Sequence, residues 1–431
     1  MGSIWEHQDR PKHFSPLTKN ISTDTLIVGG GMAGILCAYM LCERGVNCVL
    51  LEQKEICSGV TGNTTAKITF QHGLIYNDLV NKFGHAVAQS YLDAHKNALE
   101  EYTNLCRNID CDFEKKDSFV YALSDGAKIK KEVLALKGLG VDAELCKSAD
   151  LPFKVAGAIR VKGQAQFHPL KFAYHIAKDL PIYENTKARE FLPGKVKTDN
   201  AQISYKKLII ATHFPILNKH GGYFIKMHQH RSYVLALSGA QNVDALYVDE
   251  DDKGLSFRPY GDLLLLGGGS HRTGKQGGGY RELEEFAMRH YPQAKIVGKW
   301  ATQDCMTLDS IPYIGQYSKS TPNIYVATGF NKWGMTSSMV AANLLADLVC
   351  GKENELADVF SPSRSIFHPQ LAVNIFESMV GILTPTVPRC PHLGCALKYN
   401  RQEHSWDCPC HGSRFSEEGK LLNNPATDDK K

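Results

Sequence analysis

Cys390-Pro391-His392-Leu393-Gly394-Cys395 precedes Cys408-Pro409-Cys410-His411-Gly412-Ser413, so a Cys-x-His pair and a Cys-x-x-His pair stand 15 residues apart. Thiolates and imidazoles at such spacing are metal ligands. On a two-iron, two-sulfide cluster the mixed set has a definite charge. Two ferric ions, two sulfides, two thiolates and two neutral imidazoles sum to zero, and one electron gives −1. An all-thiolate cluster passes from −2 to −3, which costs more in a low-dielectric pocket. The mixed set therefore has the higher potential, and reduction raises the pKa of its histidines. A Cys2His2 zinc site is the competing metal reading, although zinc sites more often begin with Cys-x-x-Cys. Four buried polar residues without metal is the plain reading, and two spaced Cys/His pairs with two further cysteines speak against it.

The second chemical pattern is Gly29-x-Gly31-x-x-Gly34, between the apolar run Thr25–Val28 and a helical run through Leu41. The first glycine permits a tight turn, the second lets a pyrophosphate approach the backbone, and the third lets the helix pack on the sheet. The free N–H groups of the helix start then face anionic oxygens. Glu52, at the end of the next strand Cys48–Leu51, is placed to accept from ribose hydroxyls. A tight turn alone is the plain reading of the glycines. Strand, glycines, helix and terminal acid together specify a dinucleotide site.

The elements that must position these groups emerge from periodicity. Positions 88, 91, 92, 95, 99, 102 and 106 repeat with helical period, predicting a long amphipathic helix. From Leu246 to Gly269 short strands and turns predict a mostly antiparallel lobe. Asn323–Gly329 reads as a strand into a glycine turn, and Gly334–Cys350 as a helix. Ser361-Pro362-Ser363 reads as a linker, with Pro369, Pro385 and Pro388 interrupting the residues beyond it. Ala396–Asn400 and His404–Asp407 read as a hairpin that sets the two Cys/His loops side by side. Thr25–Cys42 carries no charge, but its glycines favour strand, turn and helix over a membrane span.

A chain of 431 residues exceeds one ordinary domain, and 43% apolar with 22% charged residues supports a large core, excluding disorder. A net charge of +4, from 49 basic and 45 acidic residues, is too slight to point to nucleic acid or anionic membrane. Thirteen cysteines, nine of them scattered from Cys37 to Cys350, fit a reducing compartment. Together with a polar N-terminus unlike a signal peptide, this predicts a cytoplasmic protein without a transmembrane segment.

Thr25–Glu52, followed by Ser58-Gly59-Val60-Thr61-Gly62-Asn63-Thr64-Thr65-Ala66-Lys67, resembles the start of the D-amino-acid oxidase-like flavoproteins, the glycine and sarcosine oxidase superfamily. Leu208-Ile209-Ile210-Ala211-Thr212, Asp309-x-x-Pro312-x-x-Gly315, and Ala327-Thr328-Gly329-Phe330 with Gly334-Met335 resemble its later motifs in order. The resemblance implies FAD, held by Gly29, Gly31, Gly34, Glu52, Thr64, Thr65, Ala188, Ala211, Thr212, Asp309, Gly329, Gly334 and Met335. Near the flavin it implies Lys67, His72, Arg258 and His271 as candidate catalytic residues. Arg231 and Arg258 are candidates to clamp a substrate carboxylate, with a surface ion pair as the plain reading. Trp333 is a candidate to stack near the ring. Two departures stand out: His213 follows Ala211-Thr212 where the family usually has glycine, and Thr64, Thr65 and Lys67 replace Arg-Asn-Gly-Gly in the loop after Glu52.

The C-terminal pattern resembles the Rieske [2Fe–2S] proteins, which implies Cys390, His392, Cys408 and His411 as cluster ligands and Cys395–Cys410 as a bracing disulfide. Ser413 matches a position that hydrogen-bonds a bridging sulfide, and Phe415 stands where higher-potential members place a tyrosine. The stretch from Ser363 to Cys390 is too short for the strands that usually precede the first ligand loop. Either the flavin domain supplies the missing wall or the module holds its cluster weakly. The expected organisation is an N-terminal arm (1–22), an FAD-dependent oxidoreductase (23–360), a linker (361–389) and a shortened Rieske module (390–431). Within the second, FAD-binding segments at 23–80, 155–220 and 300–360 alternate with a substrate lobe at 81–154 and 221–299. The fold class is α/β: a Rossmann-like FAD domain interleaved with an antiparallel-sheet substrate domain, plus a small all-β module.

The expected function is an FAD-dependent dehydrogenase of a small amine or amino-acid-like substrate, acting on CH–NH or CH–NH2 donors. Electrons pass from FADH2 to the cluster and on to an external acceptor, protein or quinone-like; the cluster could instead feed the flavin. The alternative is a redox sensor or electron-transfer flavoprotein without small-substrate turnover. Protein purified without oxygen is expected to show about one flavin per chain and a [2Fe–2S] electron paramagnetic resonance signal of low average g. Iron-free yellow protein, or zinc in the terminal cysteines, is the contrary result.

Overall fold

The computed structural model describes residues 2–6, 8–217, 220–385 and 388–430. Ile21–Val28 is a strand of mostly β-branched residues whose last four are buried. It ends where Gly29 takes φ +114°, and helix Met32–Glu43 returns the chain to Cys48–Leu51, parallel to the first strand. Gln202–Ile210 pairs with Ile21–Val28 on its other side, and Ile324–Thr328 pairs with Gln202–Ile210, all parallel. These strands centre an eight-stranded sheet that ends in the antiparallel strand Tyr313–Gln316 on one side and Ile182–Tyr183 on the other. Helix Met32–Glu43 packs on helix Gly334–Val349, which also meets the long helix His85–Cys106. The predicted apolar stripe of the long helix is the buried one, from Ala88 and Tyr91 to Tyr102 and Cys106.

The second sheet has nine strands and is antiparallel apart from the pair Leu246–Asp249 with Glu114–Ala122. Its edge is formed by Lys295–Thr307, paired with Met227–Ser238, which pairs in turn with Leu263–Arg272. Leu263–Leu266 extends as a strand through three glycines to Arg272. Gly157–Gln166 and the end of Lys295–Thr307 belong to this sheet, although the sequence bounds group 155–220 and 300–360 with the FAD-binding segments. A four-stranded antiparallel sheet, Lys398–Asn400, Ser405–Asp407, Arg414–Ser416 and Leu421–Asn423, makes the terminal module. Its first hairpin pairs Lys398 with Asp407 and turns at His404, φ +50°.

The stretch expected as a linker is folded. Pro369–Leu383 is an α-helix. Pro369 occupies its first turn, where the missing N–H is no loss, and the His368 ring accepts from Gln370 N (3.2 Å). Composition misled because the helix turns its polar side inward: Asn374 and Gly381 are buried, whereas Phe376 is 64% and Leu383 74% exposed. Upstream, the Arg364 guanidinium holds the Asp309 carboxylate bidentately at 2.6 and 2.7 Å. Among the described residues no helix is long and apolar enough to cross a membrane.

The Arg364–Asp309 pair is largely buried, so Arg364→Ala leaves an uncompensated carboxylate. A loss of about 3–5 kcal/mol is expected, read as a lower denaturant midpoint; a loss under about 1 kcal/mol would show that water screens the pair.

Candidate functional site

The glycine turn shows why side chains are excluded. A Cβ on Gly29 would lie 2.5 Å from Ala211 O, and one on Gly34 would lie 1.8 Å from Gly29 O. Gly31 opens the helix, where Met32 N donates to Thr61 Oγ1 (3.0 Å). Glu52 accepts from Gly30 N (2.7 Å) and Lys54 N (2.9 Å), and burial pushes its pKa up against those bonds.

A cavity of about 1000 Å³ opens above this turn. Gly29, Gly31, Glu52, Thr64, Thr65 and Ala188 line it, as do Ala211, Thr212, Asp309, Gly329, Gly334 and Met335. Gly34 does not line it and acts by packing beneath the helix. Asp309 reaches the wall with its carboxylate already held by Arg364. The donor set suits a dinucleotide: helix-start N–H groups, a carboxylate and threonine hydroxyls around a turn that tolerates no Cβ.

Of the candidate catalytic residues, Lys67 and His72 line the cavity. Lys67 Nζ reaches Thr65 Oγ1 (3.2 Å), and burial, then the charge of Arg258, brings its pKa down to about 7. His72 is fully engaged. Its Nε2 meets Thr69 O (2.8 Å) and Thr336 Oγ1 (3.1 Å), and its Nδ1 meets Tyr91 OH (2.7 Å). Burial holds its pKa well below the usual range, and Trp333 stacks on its face. This is a neutral imidazole that stiffens the wall.

Arg258 and His271 lie elsewhere. Arg258 is 0% exposed and is absent from the cavity wall. It donates to Gln166 Oε1, Phe167 O and Thr65 O, under Trp5 and Tyr260. It therefore braces the Thr64–Lys67 loop from behind, and it cannot clamp a substrate carboxylate. His271 is bound to Tyr233 OH (3.0 Å) and to Arg272 O (3.0 Å), on the side facing the terminal module. Arg231 is not a clamp either: it pairs with Glu403, buried on both sides. Gln229, Arg231 and Tyr233, alternate residues of one strand, each bond the module, so Arg231 and Tyr233 reach the cavity wall with their polar groups already engaged.

The other side of that alternation holds residues that the sequence reading missed. His230 stands opposite Asp304, and Ser232 opposite Thr302. Asp304 lines the cavity, and burial lifts its pKa to about 6 against Lys332 and Arg231. Among the described residues the buried Nδ1 atoms of His228 and His230 and the hydroxyl of Thr302 have no hydrogen-bond partner. The two-residue period along 228–232 was the available signal.

The Cys/His loops are two backbone turns side by side. Gly394 N donates to Cys390 O and Gly412 N to Cys408 O, both at 2.9 Å. Cys390, Cys408 and His411 are buried, His392 is half-buried, and the imidazole centroids lie 5.0 Å apart. Among the described residues His411 Nδ1 has no hydrogen-bond partner although buried, and its ring stands beside the Cys408 thiol. A buried acceptor without a donor, aimed among thiols, fits a metal-bound imidazole. Ser413 Oγ accepts from Ala426 N (2.9 Å) and lies against the Cys390 thiol. Cys395 and Cys410 are free thiols, with Sγ atoms within 4.8 Å of each other and of Cys408 Sγ.

The flavin lobe supplies the wall that the short module lacks. Arg272 donates to Pro409 O and Cys410 O (both 3.2 Å), Gln229 to His411 O (2.8 Å), and Gln303 to Gly412 O (2.8 Å). Four consecutive carbonyls of the ligand loop are thus satisfied from the second sheet. The approach is close: a Cβ on Gly412, φ +92°, would lie 2.6 Å from Gln229 Cβ. Gln303 and Asn424 also line the cavity, and Asn424 donates to Thr212 O (2.7 Å).

Comparison with known proteins agrees with both halves. Residues 24–348 match the model of the FAD dependent oxidoreductase family, and residues 352–430 match the Rieske [2Fe-2S] domain. The chain is 34% identical to a Bacillus subtilis (strain 168) protein named as a Rieske 2Fe-2S iron-sulfur protein, YhfW, over 98% of this chain and 96% of the relative. It is 25% identical to gamma-glutamylputrescine oxidoreductase of Escherichia coli (strain K12), over 81% of this chain and 88% of that protein. The crystal structure of glycine oxidase from Geobacillus kaustophilus has the same fold, with a TM-score of 0.66 at 20% identity, covering 80% of this chain and 99% of that one.

Two substitutions separate the cofactors. Gly34→Val, driven into Gly29 O, is expected to abolish flavin absorbance. His411→Ala is expected to remove iron and leave flavin at about one per chain. Loss of both groups in His411→Ala would contradict two separable sites.

Proposed function

We propose an activity on the premise that this chain belongs to the FAD dependent oxidoreductase family and continues into a Rieske [2Fe-2S] domain. It oxidises the carbon–nitrogen bond of a small amine or amino-acid-like substrate and sends the electrons through the cluster to an external acceptor. The observation that carries this reading is the shared wall: Gln303 lines the flavin cavity and also donates to Gly412 O in the ligand loop. Relatives named for gamma-glutamylputrescine and glycine support the substrate class.

Bound FAD supplies hydride acceptance from the carbon bearing nitrogen, and the cluster supplies one-electron transfer. The chain's residues prepare the substrate. An ammonium has no lone pair to expel hydride, so the nitrogen must first lose a proton. Lys67, with a pKa near 7 in the cavity wall, is placed to take it. Asp304 offers a carboxylate to the substrate cation from the second sheet. The neutral His72 and the stacked Trp333 exclude water from the wall between them. Gln229, Gln303 and Arg272 hold the ligand loop in place. The free thiols of Cys395 and Cys410 would close a bracing disulfide when an external oxidant takes their two electrons and two protons leave to solvent. His392, the more exposed ligand, faces the external partner.

Under anoxia, a cognate amine is expected to bleach the flavin first and then reduce the cluster. Lys67 must be neutral to act, so the bleaching rate is expected to rise as pH increases through about 7. Lys67→Met is expected to flatten that rise and slow bleaching about 100-fold. Stopped-flow absorbance reads both. Flavin that yields only to dithionite across a panel of amines and amino acids would favour an electron-transfer protein without substrate turnover.

A further inference from the structure

The four-carbonyl contact contains one charged donor. Arg272 ends the strand Leu263–Arg272 and spends its guanidinium on neutral oxygens: Pro409 O, Cys410 O and, at 3.0 Å, Asn374 Oδ1. Other arginines at the module are compensated or screened. Arg231 and Arg414 share Glu403, and Arg414 also holds Asp407. Arg389, at the first loop, is exposed and screened by water. The acid facing Arg272 is Glu377, itself held by Lys275 (2.6 Å). The thiols of Cys410 and Cys408 are close enough to perturb Arg272 electrostatically. Contact is tight here too, since a Cβ on Gly274, φ +75°, would lie 2.6 Å from Pro409 N.

We infer that Arg272, a residue of the flavin lobe, sets the reduction potential of the cluster by placing a positive charge, hydrogen-bonded among the described residues only to neutral oxygens, against the loop that carries Cys408 and His411. Uptake of one electron takes the cluster and its four ligands from net charge 0 to −1, with no bond made or broken. A fixed cation a few ångströms from the loop stabilises the −1 state more than the neutral one, and partial burial keeps the attraction from being screened. The potential is therefore higher docked on the sheet than the module's own ligands would make it. This holds whatever substrate reduces the flavin.

The test is an anaerobic redox titration of the whole holoprotein, following the cluster by electron paramagnetic resonance and the flavin by absorbance. Arg272→Gln is expected to shift the cluster to a more negative potential with the flavin potential unmoved, and Arg272→Lys to stay near wild type. Glu377→Gln, which removes the facing negative charge and leaves the carbonyl contacts intact, is expected to shift it the opposite way. A wild-type potential in Arg272→Gln overturns the assignment, as does Arg272→Lys falling equally far. Should Arg272→Gln fail to retain iron, Glu377→Gln decides: an unchanged or lowered potential overturns it.

Discussion

The structure depends on satisfying backbone carbonyls in a loop too small to bury them itself. A buried carbonyl without a donor costs free energy comparable to a lost hydrogen bond, and residues 409–412 present four in a row. The terminal module has only four short strands and no wall behind the second ligand loop. Arg272, Gln229 and Gln303 supply the donors from three neighbouring strands of the flavin lobe's second sheet. The module is completed by the larger domain, and its position is set by that need.

The same requirement governs the helix between the two halves. Pro369–Leu383 turns Asn374 and Ser378 inward because partners await them: Asn374 bonds Ile225 O and Arg272, and Ser378 meets the His411 ring. Gly381 is buried for a related reason, since a Cβ there would lie 2.2 Å from Cys410 Sγ. The module is thereby gripped on two sides, by the second sheet and by a helix whose apolar side faces outward.

Around the flavin cavity, polar side chains divide between module and cavity. Gln229, Arg231 and Tyr233 bond the module, although Arg231 and Tyr233 also reach the cavity wall. Ser232, with Thr302 across the pairing, lines the cavity, and Arg272, opposite His230, turns to the module as well. Arg258 is withdrawn further, into the loop's support. The arginines that looked available for a substrate carboxylate are all committed to protein acceptors. The cavity keeps Lys67 and Asp304, both displaced by burial toward neutral pH.

The glycine turn, Glu52 and the two Cys/His pairs were legible in the chain because each is a local device. A tight turn, a helix start and a two-loop metal knuckle need residues close in sequence, so spacing alone reveals them. The long helix from His85 to Cys106 was legible through its period. The roles of Arg231, Arg258 and His271 were not, because each is fixed by a partner remote in sequence: Glu403, Gln166 and Tyr233. The folded character of 369–383 was hidden for the same reason: its inward side is polar, and only the loop it meets makes that favourable. Sequence determined which cofactors the chain can hold; tertiary packing alone decided which side chains face them, since facing is set by strand register and by partners hundreds of residues away.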